Sequence, residues 1–259
     1  MNAEITILGS GTSMGVPTLG CDCAVCTSTD PRDRRTRPAI AVEWDGHTVL
    51  IDTGQDFRDQ ALRERIRHID AVLYTHPHAD HILGMDDLRP LTFHRANGGL
   101  PLYADDTTAS VLERIFEYTF SPKADYPNRA RVVLNRLNGQ ESLEISGLRF
   151  QRVPLLHGNI EVAGYRFGSA AYLTDMNGLP ETSLPLLQNL DVLIIDALRW
   201  NHHPSHNNVE QALNWIERIQ PRRAFFTHIA HELGHAATEA KLPAHVRLAY
   251  DGLRIRFEI

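Results

Sequence analysis

Short apolar runs, punctuated by Gly, Asp and Pro, recur along the whole chain. Residues 4–8 alternate, with Ile5 and Ile7 on one face, and predict a strand. Residues 39–44 and 47–51 predict two strands joined by the Asp45-Gly46 turn. The run Ala71-Val72-Leu73-Tyr74 predicts a short buried strand. Further strands are predicted at 101–103, 143–145, 148–153, 162–167, 170–175, 191–196, 223–228, 246–248 and 253–259. Helical periodicity covers 56–68, 82–89, 105–118 and 209–219; in the third, Val111, Leu112, Ile115 and Phe116 share a face. Residues 121–129 read as a Pro-punctuated loop. Strands alternating with helices predict an α/β fold, and 259 residues suit a single domain spanning 1–259.

Composition narrows the partners. With 42% hydrophobic residues a sizeable core is possible. The net charge of −6 argues against a nucleic-acid partner, which wants a basic surface. No apolar stretch approaches the ~18 residues of a membrane span. Met1-Asn2-Ala3-Glu4 has no basic segment of a secretory signal. The three cysteines lie within six residues, a poor disulfide framework and a better metal site. A reducing cytoplasm is therefore expected.

The chemistry concentrates after the strand at 71–74. Thr75-His76-Pro77-His78-Ala79-Asp80-His81 holds three histidines and one carboxylate within six residues. Pro77 bars a regular strand, so a loop should enter a helix near His81. His76 and His78 are two apart and point the same way on an extended backbone. Asp80 and His81 can face a second point a few Å further on. Imidazole and carboxylate suit Zn, Mn or Fe, and the spacing predicts two metals side by side.

Upstream, Cys21-x-Cys23-x-x-Cys26 in residues 20–27 brings three thiolates to one tight turn. Zinc at a closed structural site wants four ligands. His231 is the expected fourth. The loop from Gly9 to Gly15 lacks the spacing and the Lys of a phosphate cradle, and reads as a turn over the metal site. Residues 30–37 carry four arginines and read as a solvated loop, near enough to the site to meet an anionic substrate. His231-Glu232-Leu233-Gly234-His235 matches H-E-x-x-H, but follows a strand end too closely to lie on one helix. His235 is expected to face solvent.

His76-x-His78-x-Asp80-His81 after a strand resembles the signature of the metallo-β-lactamase superfamily. The resemblance implies a four-layer αββα sandwich with a dinuclear site at one edge. It implies His157 as a further ligand of the first metal, Asp175 as a bridge and His228 as the last ligand. It also implies that Asp52 holds a ligand histidine by hydrogen bond, and gives Asp196 no ligand role. By the family pattern His206 protonates the leaving group, with His202 and His203 as alternatives, and Asp80 also orients the nucleophile.

Cys21, Cys23, Cys26 and a histidine three residues after His228 narrow the resemblance. So do Gly-Val-Pro before the cysteines, Leu-Thr-Asp at 173–175 and Thr-His-Ile at 227–229. The whole chain resembles the PhnP-type cyclic phosphodiesterases of the carbon–phosphorus lyase pathway. That implies a metal-activated attack on a small anionic phosphodiester, a cyclic ribosyl phosphate among the candidates. It also implies a homodimer. A lactone, thioester or β-lactam hydrolase, an RNA 3′-end processing enzyme of the tRNase Z type and a non-enzymatic zinc scaffold remain open. Residues 85–140 match no motif and are expected to shape the substrate pocket.

Overall fold

The computed structural model describes residues 2–93, 95, 98–122 and 126–259. Two seven-stranded mixed sheets face each other. The first is built from β1 (Asn2–Gly9), β2 (Ala39–Trp44), β3 (His47–Ile51), β4 (Ala71–Leu73), β5 (Leu100–Ala104) and β6 (Val132–Arg136). The second takes β7 (Ser142–Ile145), β8 (Leu148–His157), β9 (Ile160–Phe167), β10 (Ala170–Leu173), β11 (Val192–Asp196), β12 (Arg223–Thr227) and β13 (Val246–Leu248). The last strand, β14 (Arg254–Glu258), returns to pair antiparallel with β1. Strand order is β14-β1-β2-β3-β4-β5-β6 in one sheet and β13-β12-β11-β10-β9-β8-β7 in the other.

Three apolar clusters define four layers. Ile5, Ile40, Ile51 and Leu73 of the first sheet meet Phe150, Tyr165, Tyr172 and Ile194 of the second. Outside the first sheet, Leu50, Val72 and Leu102 pack under Phe57 of α1 (Phe57–Arg63) and Leu112 of a later helix. Outside the second, Leu193, Ile195 and Phe226 pack under Ala212 and Ile216. Strands β4 and β11 are buried on both faces, as parallel strands covered by helices require. Each such Leu or Ile contributes about 1.5–3 kcal/mol by leaving water. The expected αββα architecture is what the chain adopts.

The helices depart from expectation where the backbone must turn. The helix predicted at 56–68 stops at Arg63, because Arg65 takes a left-handed conformation (φ 58°) and the chain turns back toward β4. The helix predicted at 82–89 is three short pieces: α2 (Ala79–Ile82), a 3-10 turn at Met85–Leu88 and α3 (Arg89–Thr92). Gly84 breaks it by packing onto Gly54, where a Cβ would lie 2.0 Å from the Gly54 carbonyl oxygen. The helix predicted at 105–118 divides at Phe116 into α4 (Asp106–Ile115), capped by Asp105, and α5 (Glu117–Phe120). The helix α6 (Val209–Ile219) has its predicted bounds, fixed by a capping box between Asn208 and Gln211. Then α7 (His235–Glu239) follows β12. Strand β6 is not predicted by the pattern, and the loop at 121–129 falls partly on residues 123–125, outside the described residues. No helix among the described residues is long and apolar enough to cross a membrane.

The short helix α2 is docked on the loop after β3. Thr53 N–H donates to His81 O at 2.8 Å, and Gly84 N–H to Thr53 O at 2.9 Å. A Cβ on Gly54 would lie 2.0 Å from the Asp80 carbonyl oxygen, so only glycine permits this approach. Gly54→Ala should lower the unfolding free energy by about 1–3 kcal/mol in urea titrations. Unchanged stability would show that α2 is not seated on this loop.

Candidate metal centre

The functional side chains sit just past strand ends, at the carboxyl edge of the parallel strands where open α/β sheets bind ligands. Asp52 follows β3, and His76 and His78 follow β4. Pro77 leaves the loop extended, and α2 starts at Ala79 with His78 as its cap, close to the expected entry. Asp80 and His81 therefore lie in the first turn. His157 closes β8, Asp175 lies two residues past β10 and His228 one past β12. Asp52, Asp175 and His228 all hold left-handed backbones, with φ of 67°, 52° and 57°. Such residues cost about 1–3 kcal/mol each and persist where surrounding structure dictates them.

Two groups of four result. In His76, His78, His157 and Asp175, and in Asp80, His81, Asp175 and His228, the ligand-type atoms of each group lie within 4.8 Å of one another. Asp175 belongs to both. His76 Nε2 is 2.9 Å from His78 Nδ1, and Asp175 Oδ1 is 3.2 Å from His81 Nε2. Asp175 Oδ2 lies 3.6 Å from His76 Nε2 and 3.4 Å from His228 Nε2. Asp80 Oδ2 lies 3.3 Å from His81 Nε2 and 3.5 Å from His228 Nε2. All but His78 are buried.

Three of these atoms, Asp80 Oδ2, His81 Nε2 and His228 Nε2, are buried without a hydrogen-bond partner. Buried polar atoms rarely go unpaired, so the cluster needs a further partner at its centre. Carboxylate and imidazole donors at that point fit a divalent metal ion. Burial pushes the Asp175 carboxyl up, but His228, His81 and His76 outweigh it and hold it well below the usual range. Burial together with the neighbouring His81 drives His76 well down, toward the neutral form that a ligand needs.

An outer ring of bonds fixes three of the imidazoles, those of His76, His81 and His157. Asp52 Oδ2 is 2.7 Å from His81 Nδ1 and also accepts from the Thr75 hydroxyl at 2.8 Å. Thr75 Oγ1 lies 3.0 Å from His76 Nδ1. His157 Nδ1 donates to the Ser205 carbonyl at 2.7 Å. In each ring the other nitrogen, Nε2, is thereby left to face the cluster.

His206 stands beside this cluster. Its ring stacks on His228 at 4.5 Å and 12°, and meets His157 edge-on at 4.7 Å. Its Nδ1 is 2.7 Å from Asp196 Oδ2. Burial pulls the imidazole down, yet the Asp196 carboxylate more than offsets this and pushes it up to about 9. His203 lies 5.0 Å from His206, and His202 is exposed. Of the three histidines, His206 is the one with a carboxylate partner. Asp196 is the residue that sequence reasoning undervalued. Its signal was an acid directly ending the apolar run Val192-Leu193-Ile194-Ile195, ten residues before His206. Asp196, His206 and His228 also lie within 4.8 Å of one another, but His228 already belongs to the second group.

The cysteines form a separate cluster. Cys21, Cys23 and Cys26 Sγ lie 3.1, 3.5 and 3.4 Å from His231 Nδ1. The Cys26 backbone N–H lowers the Cys23 thiol to about 6, whereas burial pushes Cys26 up to about 11. The H-E-x-x-H segment is not one helix, because His231 faces the thiols while His235 opens α7. Contrary to expectation, His235 is buried; its ring meets Tyr250 and its N–H donates to Asp33. The loop at 30–37 is likewise not wholly solvated. Arg35 is 2% exposed, because it pairs with Asp33 at 2.8 Å and donates to the Ala230 and Leu233 carbonyls.

Known proteins resemble the chain in sequence and fold. Residues 47–229 match the β-lactamase superfamily domain. The solved structure of a diphosphatase of the PhnP family superposes with a TM-score of 0.93 and 50% identity, covering 99% of this chain and 98% of that one. Zn(2+)-bound PqqB from Methylobacterium extorquens superposes with a TM-score of 0.74 and 21% identity, over 97% of this chain and 99% of that one. An octanoyltransferase of Porphyromonas gingivalis is 37% identical over 95% of this chain and 50% of its own length. The chain thus spans about half of that relative. With the matched domain covering residues 47–229 and the two-sheet fold in agreement, the chain belongs to the β-lactamase superfamily and adopts the metallo-β-lactamase fold.

Proposed function

We propose that this chain hydrolyses a small anionic phosphodiester. The observation that carries the reading is the pair of four-residue groups sharing Asp175, with the Asp196-tied His206 stacked against them. His76, His78, His157 and Asp175 would hold one divalent ion, and Asp80, His81, Asp175 and His228 a second. When bound, such ions polarise phosphoryl oxygens and acidify water. The donor set suits Mn, Zn or Fe. Cys21, Cys23, Cys26 and His231 would hold a structural zinc, and three unpaired thiols suit a reducing cytoplasm.

The chain's own residues supply the rest. Asp196 keeps the His206 imidazole protonated and spends its Nδ1–H, so Nε2–H is the proton on offer. That proton passes to the departing oxygen as the P–O bond breaks. An alkoxide is a poor leaving group, and such help is worth about 10²–10⁴-fold. Asp80, a member of the second group, would also orient the attacking water. The net charge of −6 disfavours RNA and favours a small substrate, a cyclic ribosyl phosphate among the candidates.

A second reading has its own support. The 50% identical relative is a diphosphatase, and a diphosphate presents the same anionic phosphorus with a phosphate leaving group. Acyl hydrolysis is the competing class, given the octanoyltransferase relative. A panel separates them: bis(p-nitrophenyl) phosphate, 2′,3′-cyclic nucleotides, 5-phosphoribosyl 1,2-cyclic phosphate, a diphosphate ester, a lactone, a β-lactam and an octanoyl thioester. Turnover of acyl substrates alone overturns the proposal.

Two outcomes follow from the geometry. His206→Ala should slow alkyl phosphodiesters about 10²–10⁴-fold, and bis(p-nitrophenyl) phosphate far less, since its leaving group needs no proton. Equal losses in kcat would remove His206 from that role. Asp52→Asn should weaken divalent-ion binding about 10–100-fold in chelator competition. Unaltered affinity would mean that His81 is oriented without it.

A further inference from the structure

We propose that Asn177 is a positioning residue that sets the leaving-group histidine against the metal-ligand cluster. The proposal rests on the reading of His206 as the proton donor. Asn177 lies two residues after Asp175. Its Oδ1 accepts from Gly158 N–H at 2.9 Å, next to His157. Its Nδ2 donates to the Pro204 carbonyl at 2.8 Å, two residues before His206. One amide therefore joins three loops, carrying His157, Asp175 and His206.

The surrounding bonds explain why that link matters. Residues 200–205 belong to no regular element and are mostly exposed or half-buried. His206 beyond them is held at its ring by Asp196, whose Oδ2 also accepts from Met176 N–H at 2.8 Å. Asn207 N–H donates to Met176 O at 2.6 Å, and the Ser205 carbonyl accepts from His157. The segment 175–177 is thus the frame, and the Asn177 amide reaches outward from it in both directions. Asn177 is itself anchored, since its N–H donates to Leu156 O at 2.9 Å.

The side-chain chemistry makes the two bonds separable. A primary amide accepts at one end and donates at the other. An aspartate of the same shape still accepts from Gly158 but offers Pro204 no donor. A leucine does neither. Asn177→Asp should therefore loosen the His206 loop while sparing His157, and Asn177→Leu should loosen both.

The test compares Asn177→Asp and Asn177→Leu with the wild type in the metal-loaded protein. For Asn177→Asp, kcat on an alkyl phosphodiester should fall about 10-fold or more, with a loss on bis(p-nitrophenyl) phosphate about five times smaller. Divalent-ion affinity by chelator competition should hold in Asn177→Asp and fall in Asn177→Leu. Independently of turnover, NMR of the metal-free protein should show the His206 Nδ1–H resonance broadened by exchange in Asn177→Asp, with Gly158 amide protection retained. Thermal melts confirm that both variants fold. Equal losses on both substrates, or an unaltered His206 resonance, would overturn the proposal. If the wild type cleaves no phosphodiester, the functional reading fails, while the resonance and the exchange at Gly158 still decide the role of Asn177.

Discussion

The molecule is arranged around one electrostatic constraint: several carboxylates and imidazoles are buried together at the edge of a two-sheet sandwich. Asp52 and Asp196 are 0% exposed, Asp175 2% and Asp80 5%. Charges taken out of water at that density are strongly unfavourable unless paired or bound to cations. Each acid has its answer. Asp52 takes His81 and Thr75; Asp196 takes His206 and the Met176 N–H. Asp175 takes the Thr174 hydroxyl and several imidazoles, Asp80 is met by His81 and His228, and the unpaired atoms between them call for metal. The left-handed backbones at Asp52, Asp175 and His228 are conformations the strand ends accept to aim these groups inward.

That arrangement ties the cysteine cluster to the hydrolytic edge. His228 ends one strand and His231, three residues on, faces the thiols. Between them Ile229 N–H donates to Ser10 O at 2.9 Å, and Thr12 N–H donates to Ile229 O at 3.1 Å. Arg35 holds the carbonyls of Ala230 and Leu233 from inside the fold. A segment with no helix or strand of its own is thereby fixed on both sides of the last ligand-type histidine. A zinc held by the three thiols and His231, as proposed, would act on the site through geometry, by keeping the chain after β12 in one course.

Much of this was legible in the sequence, for physical reasons. Buried parallel strands are continuous apolar runs, so β4 and β11 stood out, and the polar residues that end them marked the site edge. Spacing alone brought His76 and His78 together, and Asp80 and His81; the superfamily resemblance added His157, Asp175 and His228. The four cysteine-cluster members were visible because thiolates so close in sequence have few other uses. What was hidden depends on tertiary contact. Gly84 splits a helical pattern because of Gly54, which is distant in sequence. Arg35 and His235 looked solvated, since nothing local reveals that the Ala230 and Leu233 carbonyls meet one and Tyr250 the other. Asp196 gained its meaning only when the chain brought His206 onto it.

The central claim is that Asp175 is common to two metal sites, separate from the cysteine cluster. Metal stoichiometry of the purified wild type and of Asp175→Ala, by elemental analysis after equilibrium dialysis, tests it most directly. The account predicts that the variant loses both edge ions and keeps the zinc of the cysteine cluster. Loss of a single edge ion, or of none, would contradict the shared carboxylate and the dinuclear reading built on it.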